Sequence, residues 1–135
     1  MQILRTLALA GIALGAHPQH VSRPEVVAVR AVVDGNTIDA AGYGRVKLAG
    51  IRAAKGARDR LEGMVTHRYV RLEFASASSK STAYVLLENG TFVNAVLARE
   101  GLARVAGHAG PRADELRRAE AEARSARRGI WAARR

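Results

Sequence analysis

The residues of this chain with the clearest capacity for chemistry are its cations. The 135 residues include 22 lysines and arginines against 12 acidic residues, a formal net charge of +10 at neutral pH. A protein this small and basic is expected to bind polyanions, either nucleic acid or an anionic surface. A basic composition with no binding role is the alternative. Cysteine is absent, which excludes disulfides, thiolate metal sites and cysteine nucleophiles.

The first sixteen residues have the layout of a secretory signal peptide. Arg5 precedes the uncharged run Thr6–Leu14, and small residues follow that run. We therefore predict that residues 1–16 are a leader and that the protein is exported, to the periplasm or the extracellular medium. A first strand or helix of the domain is the alternative. No apolar run approaches the roughly 20 residues that cross a bilayer, so no membrane span is expected.

Turn residues and hydrophobic patterning divide the rest of the chain into short strands and helices. Asp34-Gly35 predicts a tight turn, and the serine-rich stretch Ser76–Lys80 predicts a loop. The predicted strands are Val26–Val33, Thr37–Ala40, Arg45–Ile51, Tyr69–Phe74 and Thr82–Leu87, and the predicted helices are Ala57–Val65, Val93–Glu100 and Arg112–Arg128. Strands joined by hairpin turns favour a small antiparallel barrel with helices over a parallel sheet.

Several segments resemble the staphylococcal-nuclease-like (thermonuclease) family, in the family's order. Val33–Ile38 is similar to its V-D-G-D-T-I/V signature, and Val46–Ile51 is similar to its V-R-L-x-G-I. Asn89–Ala103 and Arg128–Trp131 resemble its D-G-x-x-V-N-x-x-L-x-x-x-G-L-A stretch and its closing G-L/I-W. The resemblance covers residues 26–131 and implies one domain, a five-stranded OB-fold-like barrel with three helices. It also implies that the closing tryptophan packs the last helix to the barrel.

The resemblance extends to the family's reaction site, but this chain departs from the pattern at all five positions. In the family, two aspartates hold calcium, a glutamate helps to activate water and two arginines bind the phosphate. Asn36 and Arg52 stand at the aspartate positions, and Lys55 stands at the glutamate position. Lys47 and, in a shortened loop, Lys80 replace the arginines. Because calcium needs several oxygen ligands and cations replace two carboxylates, we predict no metal site and no calcium cofactor.

The same substitutions imply a cationic site without catalytic residues. By the resemblance, Lys47, Arg52, Lys55 and Lys80 converge on the barrel face that holds phosphate in the family. We predict a secreted, monomeric, nuclease-like pseudoenzyme that binds nucleic acid or another polyanion through this face. Two alternatives stay open: an active phosphodiesterase of the family with an altered site, and a structural module that binds a protein partner.

Overall fold

The computed structural model describes residues 25–76, 78–107 and 110–132, and the predicted leader lies outside them. The elements follow one another as β1 (Glu25–Asp34), β2 (Thr37–Ala40), β3 (Gly44–Leu48), β4 (Ile51–Ala53), α1 (Ala57–Val65), β5 (Tyr69–Ser76), β6 (Ser79–Leu87), α2 (Val93–Arg99), β7 (Ala103–Val105) and α3 (Ala113–Ala126), with a 3-10 turn at Gly129–Trp131. None of the helices described is both long enough and apolar enough to cross a bilayer.

Five strands close into a barrel in the order β1-β2-β3-β6-β5, which confirms the expected OB-fold-like barrel with three helices. Four of the neighbouring pairs are antiparallel. The fifth pair departs from the predicted antiparallel arrangement, because β3 and β6 run parallel with Lys47 opposite Thr82. The chain passes through β4, α1 and β5 between these two strands, and such a long crossover allows parallel pairing where a hairpin turn does not.

The barrel interior is filled by one face of each strand. Val27 and Val29 of β1, Ile38 of β2, Val46 of β3 and Leu72 of β5 are buried, while alternate residues on these strands point outward. The cationic side chains of the strands therefore lie on the outer surface or at the barrel ends.

A second, two-stranded sheet of β4 and β7 lies beside the barrel. The single predicted strand Arg45–Ile51 is wrong here, because β3 ends at Leu48 and the chain turns at Gly50 before β4 begins. Gly50 has a φ of 78°, in the left-handed region that favours glycine. β7 is three residues long, too short for alternation to show in the sequence. This small sheet carries Arg52 and places it beside the barrel.

The serine-rich stretch predicted as a loop is largely strand. β5 continues to Ser76 and β6 begins at Ser79, and these two residues lie opposite each other in the ladder. A serine-rich segment favours a loop, but backbone pairing along the whole hairpin outweighs that local preference. Lys80 consequently sits near the start of a strand.

The last helix packs through an apolar stripe. Leu116, Ala119 and Ala123 of α3 are buried. The predicted end at Arg128 is slightly late, because Arg127 takes a left-handed conformation with φ 55° and ends the helix at Ala126. Trp131 is half-buried, and the guanidinium carbons of Arg104 and Arg124 lie 4.8 and 4.3 Å from its ring centroid. The tail is thus held against β7 and α3.

Candidate nucleic-acid interface

An open cleft of about 520 Å³ lies where the β1–β2 turn, β3 and the loop between β4 and α1 meet. Its lining consists of Asp34, Gly35, Asn36, Lys47, Arg52, Ala53, Ala54, Lys55, Gly56 and Arg58. Four of the five residues singled out in the sequence, Asn36, Lys47, Arg52 and Lys55, are therefore together. They come from consecutive segments of the chain, and the β2–β3 pairing, which sets Lys47 opposite Thr37, brings Lys47 close to the β1–β2 turn.

The β1–β2 turn is fastened to both neighbouring strands. The backbone N–H of Asn36 donates to Asp34 Oδ1 at 3.0 Å, and the Leu48 N–H donates to the Asn36 carbonyl at 2.7 Å. The side-chain amide of Asn36 donates to the Ile51 carbonyl at 3.4 Å. The backbone and side chain of Asn36 thus tie the turn to β3 and β4.

The three predicted cations of the cleft are exposed and lack an acidic partner in the part of the chain that the structure describes. Lys47 projects from β3, Arg52 from β4, and Lys55 from the loop that leads into α1. Among the residues described, no carboxylate lies within 4.0 Å of any of these three charges. Like charges gathered without counterions favour the approach of an anion.

Arg58 is a fourth cation of the cleft that sequence reasoning missed. It lies in the first turn of α1 and forms an (i, i+4) ion pair with Glu62 at 3.4 Å. No side chain caps the N-terminus of α1, which begins after Gly56, so the helix dipole adds partial positive charge at this edge of the cleft. The predicted start of the helix at Ala57 is the signal that could have located Arg58.

Arg104 extends the positive charge beyond the cleft. It stands directly opposite Arg52 in the β4–β7 pair, and both side chains are exposed. Like charges at directly opposite strand positions repel, and the Arg104 guanidinium stacks against Trp131. Sequence reasoning could not place Arg104 here, since β7 itself was not predictable from a three-residue segment.

Lys80 does not join the other predicted cations. Its Nζ lies 3.2 Å from Glu25 Oε1 and 4.8 Å from the centroid of the Phe74 ring. Glu25 is the first residue of β1, whereas Asp34 in the cleft is the last, and the strand between them has ten residues. The predicted convergence of all four cations is therefore corrected to three, because the β5–β6 hairpin holds Lys80 against β1.

The oxygen donors of the cleft do not match what calcium requires. Asp34 contributes the only carboxylate of the lining residues, and its Oδ1 already accepts the Asn36 N–H. Calcium binds six to eight oxygen ligands at about 2.3–2.6 Å. Across the described part of the chain, no three histidine, aspartate or glutamate side chains are grouped to hold a metal. The donor set thus disagrees with the calcium site that the family resemblance implies.

Comparison with known proteins supports the same family. The family model described as staphylococcal nuclease homologue matches residues 36–133, most of the chain. A search of curated proteins found no significant match. The matched range includes the cleft residues from Asn36 onward, the whole barrel after β1 and the C-terminal helix. On this match, with the closed five-stranded barrel and three helices around it, the chain belongs to the staphylococcal nuclease homologue family.

Proposed function

We propose that this protein binds nucleic acid through the cationic cleft and does not hydrolyse it. The observation that carries the proposal is the cluster of Lys47, Arg52 and Lys55 around one cleft with no ion-pair partner among the described residues. Membership of a nuclease homologue family makes nucleic acid the polyanion of first choice.

The composition of the cleft favours phosphate over bases as the group recognised. None of its lining residues is aromatic, and the lining amides and carboxylates are few. Lysine and arginine contacts to phosphate oxygens fix the position of a strand but carry no sequence information. We therefore expect binding that depends on salt and is nearly independent of base sequence.

The absence of hydrolysis follows from the same residues. Asp34 is the one carboxylate among the residues that line the cleft, and one of its oxygens accepts the Asn36 N–H. A single carboxylate supplies too few oxygen ligands to hold calcium there. Lys47 presents a point charge, whereas an arginine would offer a planar fork that binds a phosphate through two hydrogen bonds. The cleft can attract a phosphodiester but lacks groups that activate water against it.

Binding and cleavage measured on one purified sample test this proposal. Single-stranded DNA and RNA oligonucleotides should bind by fluorescence anisotropy, and the same oligonucleotides should stay intact on a gel with calcium present. Digestion that calcium stimulates and a chelator abolishes would instead show an active phosphodiesterase. Failure to bind either nucleic acid at low salt would favour a module for a protein partner.

Competition with heparin separates the possible polyanions. Heparin carries sulfate charge without bases, so it should displace the oligonucleotide if the cleft reads charge alone. Displacement only by nucleic acid, with heparin inert, would contradict a purely phosphate-directed cleft.

A further inference from the structure

We propose that the outer face of β1 and β5 is a second nucleic-acid contact, in which Tyr69 stacks on a base while Arg30, Arg68 and Arg71 hold the flanking phosphates. This inference rests on the proposed function for its class of ligand. It concerns a surface that shares no residue with the cleft, so either proposal can fail without the other.

The ladder between β1 and β5 places the key side chains side by side. Ala28 lies opposite Tyr69 and Val26 lies opposite Arg71, while Val27 and Val70 face the barrel interior. Side chains at directly opposite positions share a face of the sheet. Tyr69 and Arg71 therefore project outward together, with the small side chain of Ala28 leaving room beside the tyrosine ring.

Tyr69 is exposed in a way that the other described tyrosines are not. It is 59% exposed and the neighbouring Val26 is 62% exposed, and these are the large apolar side chains that the fold leaves open. Tyr84 packs against Phe92 and Tyr43 packs against Phe74. Within the described residues, the Tyr69 ring has no such aromatic neighbour, and more than half of the residue is open to solvent.

A cavity beside the ring provides space for such a group. It measures about 400 Å³ and is lined by His67, Arg68, Tyr69, Leu87, Glu88 and Asn89. The lining mixes an aromatic ring, an aliphatic side chain and polar groups. A base can stack on the ring there while its polar edge faces the amide of Asn89.

The charges around Tyr69 favour a polyanion. Arg30, Arg68 and Arg71 are all exposed, and none forms an ion pair within the part of the chain that the structure describes. Glu88 is the acidic residue of the cavity lining. The three arginines outnumber it, so the surface around Tyr69 carries a net positive charge. One aromatic ring with arginines on either side can stack on a base while the arginines contact the neighbouring phosphates.

The surface and the cleft lie at the two ends of β1. Asp34 lies six positions after Ala28 on that strand, a distance of about 20 Å for extended chain. One OB barrel covers about 4–16 nucleotides of a single strand, so one oligonucleotide can reach both contacts. Joining them on one strand raises the affinity above that of either alone.

Substitution of Tyr69 tests the stacking contact with an oligothymidylate of about 16 nucleotides. Tyr69→Ala should weaken binding by between about 5-fold and 150-fold, the range for loss of one stacked base, whereas Tyr69→Phe should bind within about twofold of the parent. A 5-iodouracil in the same oligonucleotide should crosslink to Tyr69 on irradiation, as seen by mass spectrometry. Equal melting temperatures of the variants show that the fold is kept.

The arginines supply a second, independent measurement. Arg71→Ala should lower the slope of log affinity against log salt by about 0.7, while Arg118→Ala, an exposed arginine of α3, should leave it unchanged. Unchanged affinity of Tyr69→Ala, when substitution of Lys47, Arg52 and Lys55 does weaken binding, would overturn this inference and keep the proposed function.

Discussion

A single glycine sets how closely the β1–β2 turn approaches the rest of the cleft. A Cβ atom at Gly35 would lie 2.6 Å from the Cβ of Ala53 and 3.0 Å from that of Ala57. Both of those atoms are attached directly to backbone, so they cannot swing aside. The turn that carries Asn36 can rest on β4 and α1 only because no side chain intervenes.

We predict that Gly35→Ala lowers the free energy of unfolding by about 1–3 kcal/mol, the usual cost of overpacking. Gly63→Ala is the matched control, because a Cβ there meets nothing within 4 Å and the residue is inside α1. Alanine in place of a helical glycine should stabilise by up to about 1 kcal/mol. Urea unfolding of both variants checks the prediction, and equal effects of the same sign would contradict it.

The positions of individual cleft residues were partly predictable. The turn motif and the family resemblance located Asn36, Lys47, Arg52 and Lys55, since these lie at fixed spacings along two linked segments. Lys80 was misplaced because a salt bridge to Glu25 and a contact with Phe74 direct its side chain, and neither follows from local sequence. Long-range pairing decides where a flexible lysine points.

At the scale of elements, an arginine–glutamate pair joins α1 to α2. The Arg60 Nε and Nη2 donate to the two carboxylate oxygens of Glu100 at 2.7 and 2.9 Å. These hydrogen bonds lower the pKa of Glu100 below its ordinary value of 4.5 and raise the pKa of Arg60. The contact joins Arg60 of α1 to Glu100, the residue that follows α2, and these two residues are 40 positions apart in the chain.

The pair predicts a loss of stability in acid. A carboxyl group whose pKa is lowered by folding stabilises the fold above its unfolded pKa, and this stabilisation is lost as the pH falls through the lowered value. Glu100→Gln should therefore be less stable than the parent at neutral pH, and the difference should shrink below pH 4.5. Thermal unfolding of both proteins from pH 7 to pH 3 measures this difference in stability. A difference that does not change with pH would contradict a stabilising role for the ionised Glu100 carboxylate.

The C-terminal tail is held by one tryptophan between two arginines. Because Trp131 is half-buried, Trp131→Ala should cost about 2–3 kcal/mol, less than the roughly 3–5 kcal/mol for a fully buried tryptophan. Trp131→Phe should recover part of the loss by keeping a ring between Arg104 and Arg124. Differential scanning calorimetry compares the variants, and an unchanged melting temperature of Trp131→Ala would show that the tail does not stabilise the domain.

The bounds of an element could be predicted from the sequence where turn residues or the spacing of apolar residues mark both of its ends. The predicted helix Ala57–Val65 and strand Thr37–Ala40 have the bounds that the structure shows, because turns and apolar spacing define both ends. β4 and β7 have three residues each, and their pairing is created by the packing of α2 and the barrel around them. The parallel β3–β6 seam depends on barrel closure and has no local signal.

At the scale of the whole molecule, the acidic residues are distributed unevenly over the surface. Eight of the twelve carboxylates form ion pairs among the described residues, and four of those eight lie on α3: Asp114, Glu115, Glu120 and Glu122. Asp34 is the one acidic residue among those that line the cleft. The residues that line the cleft thus include four cations and one carboxylate, so positive charge prevails there.

The salt dependence of binding tests the central claim most directly. If Lys47, Arg52 and Lys55 neutralise phosphates, replacing all three by alanine should flatten the slope of log affinity against log salt by about 2, since each single-strand contact contributes about 0.7. The matched control replaces Arg117, Arg118 and Arg127, three exposed cations on α3 and at its end, and should leave the slope nearly unchanged. Equal flattening by both triple variants would contradict the account, because binding would then follow overall charge and the cleft would hold no site.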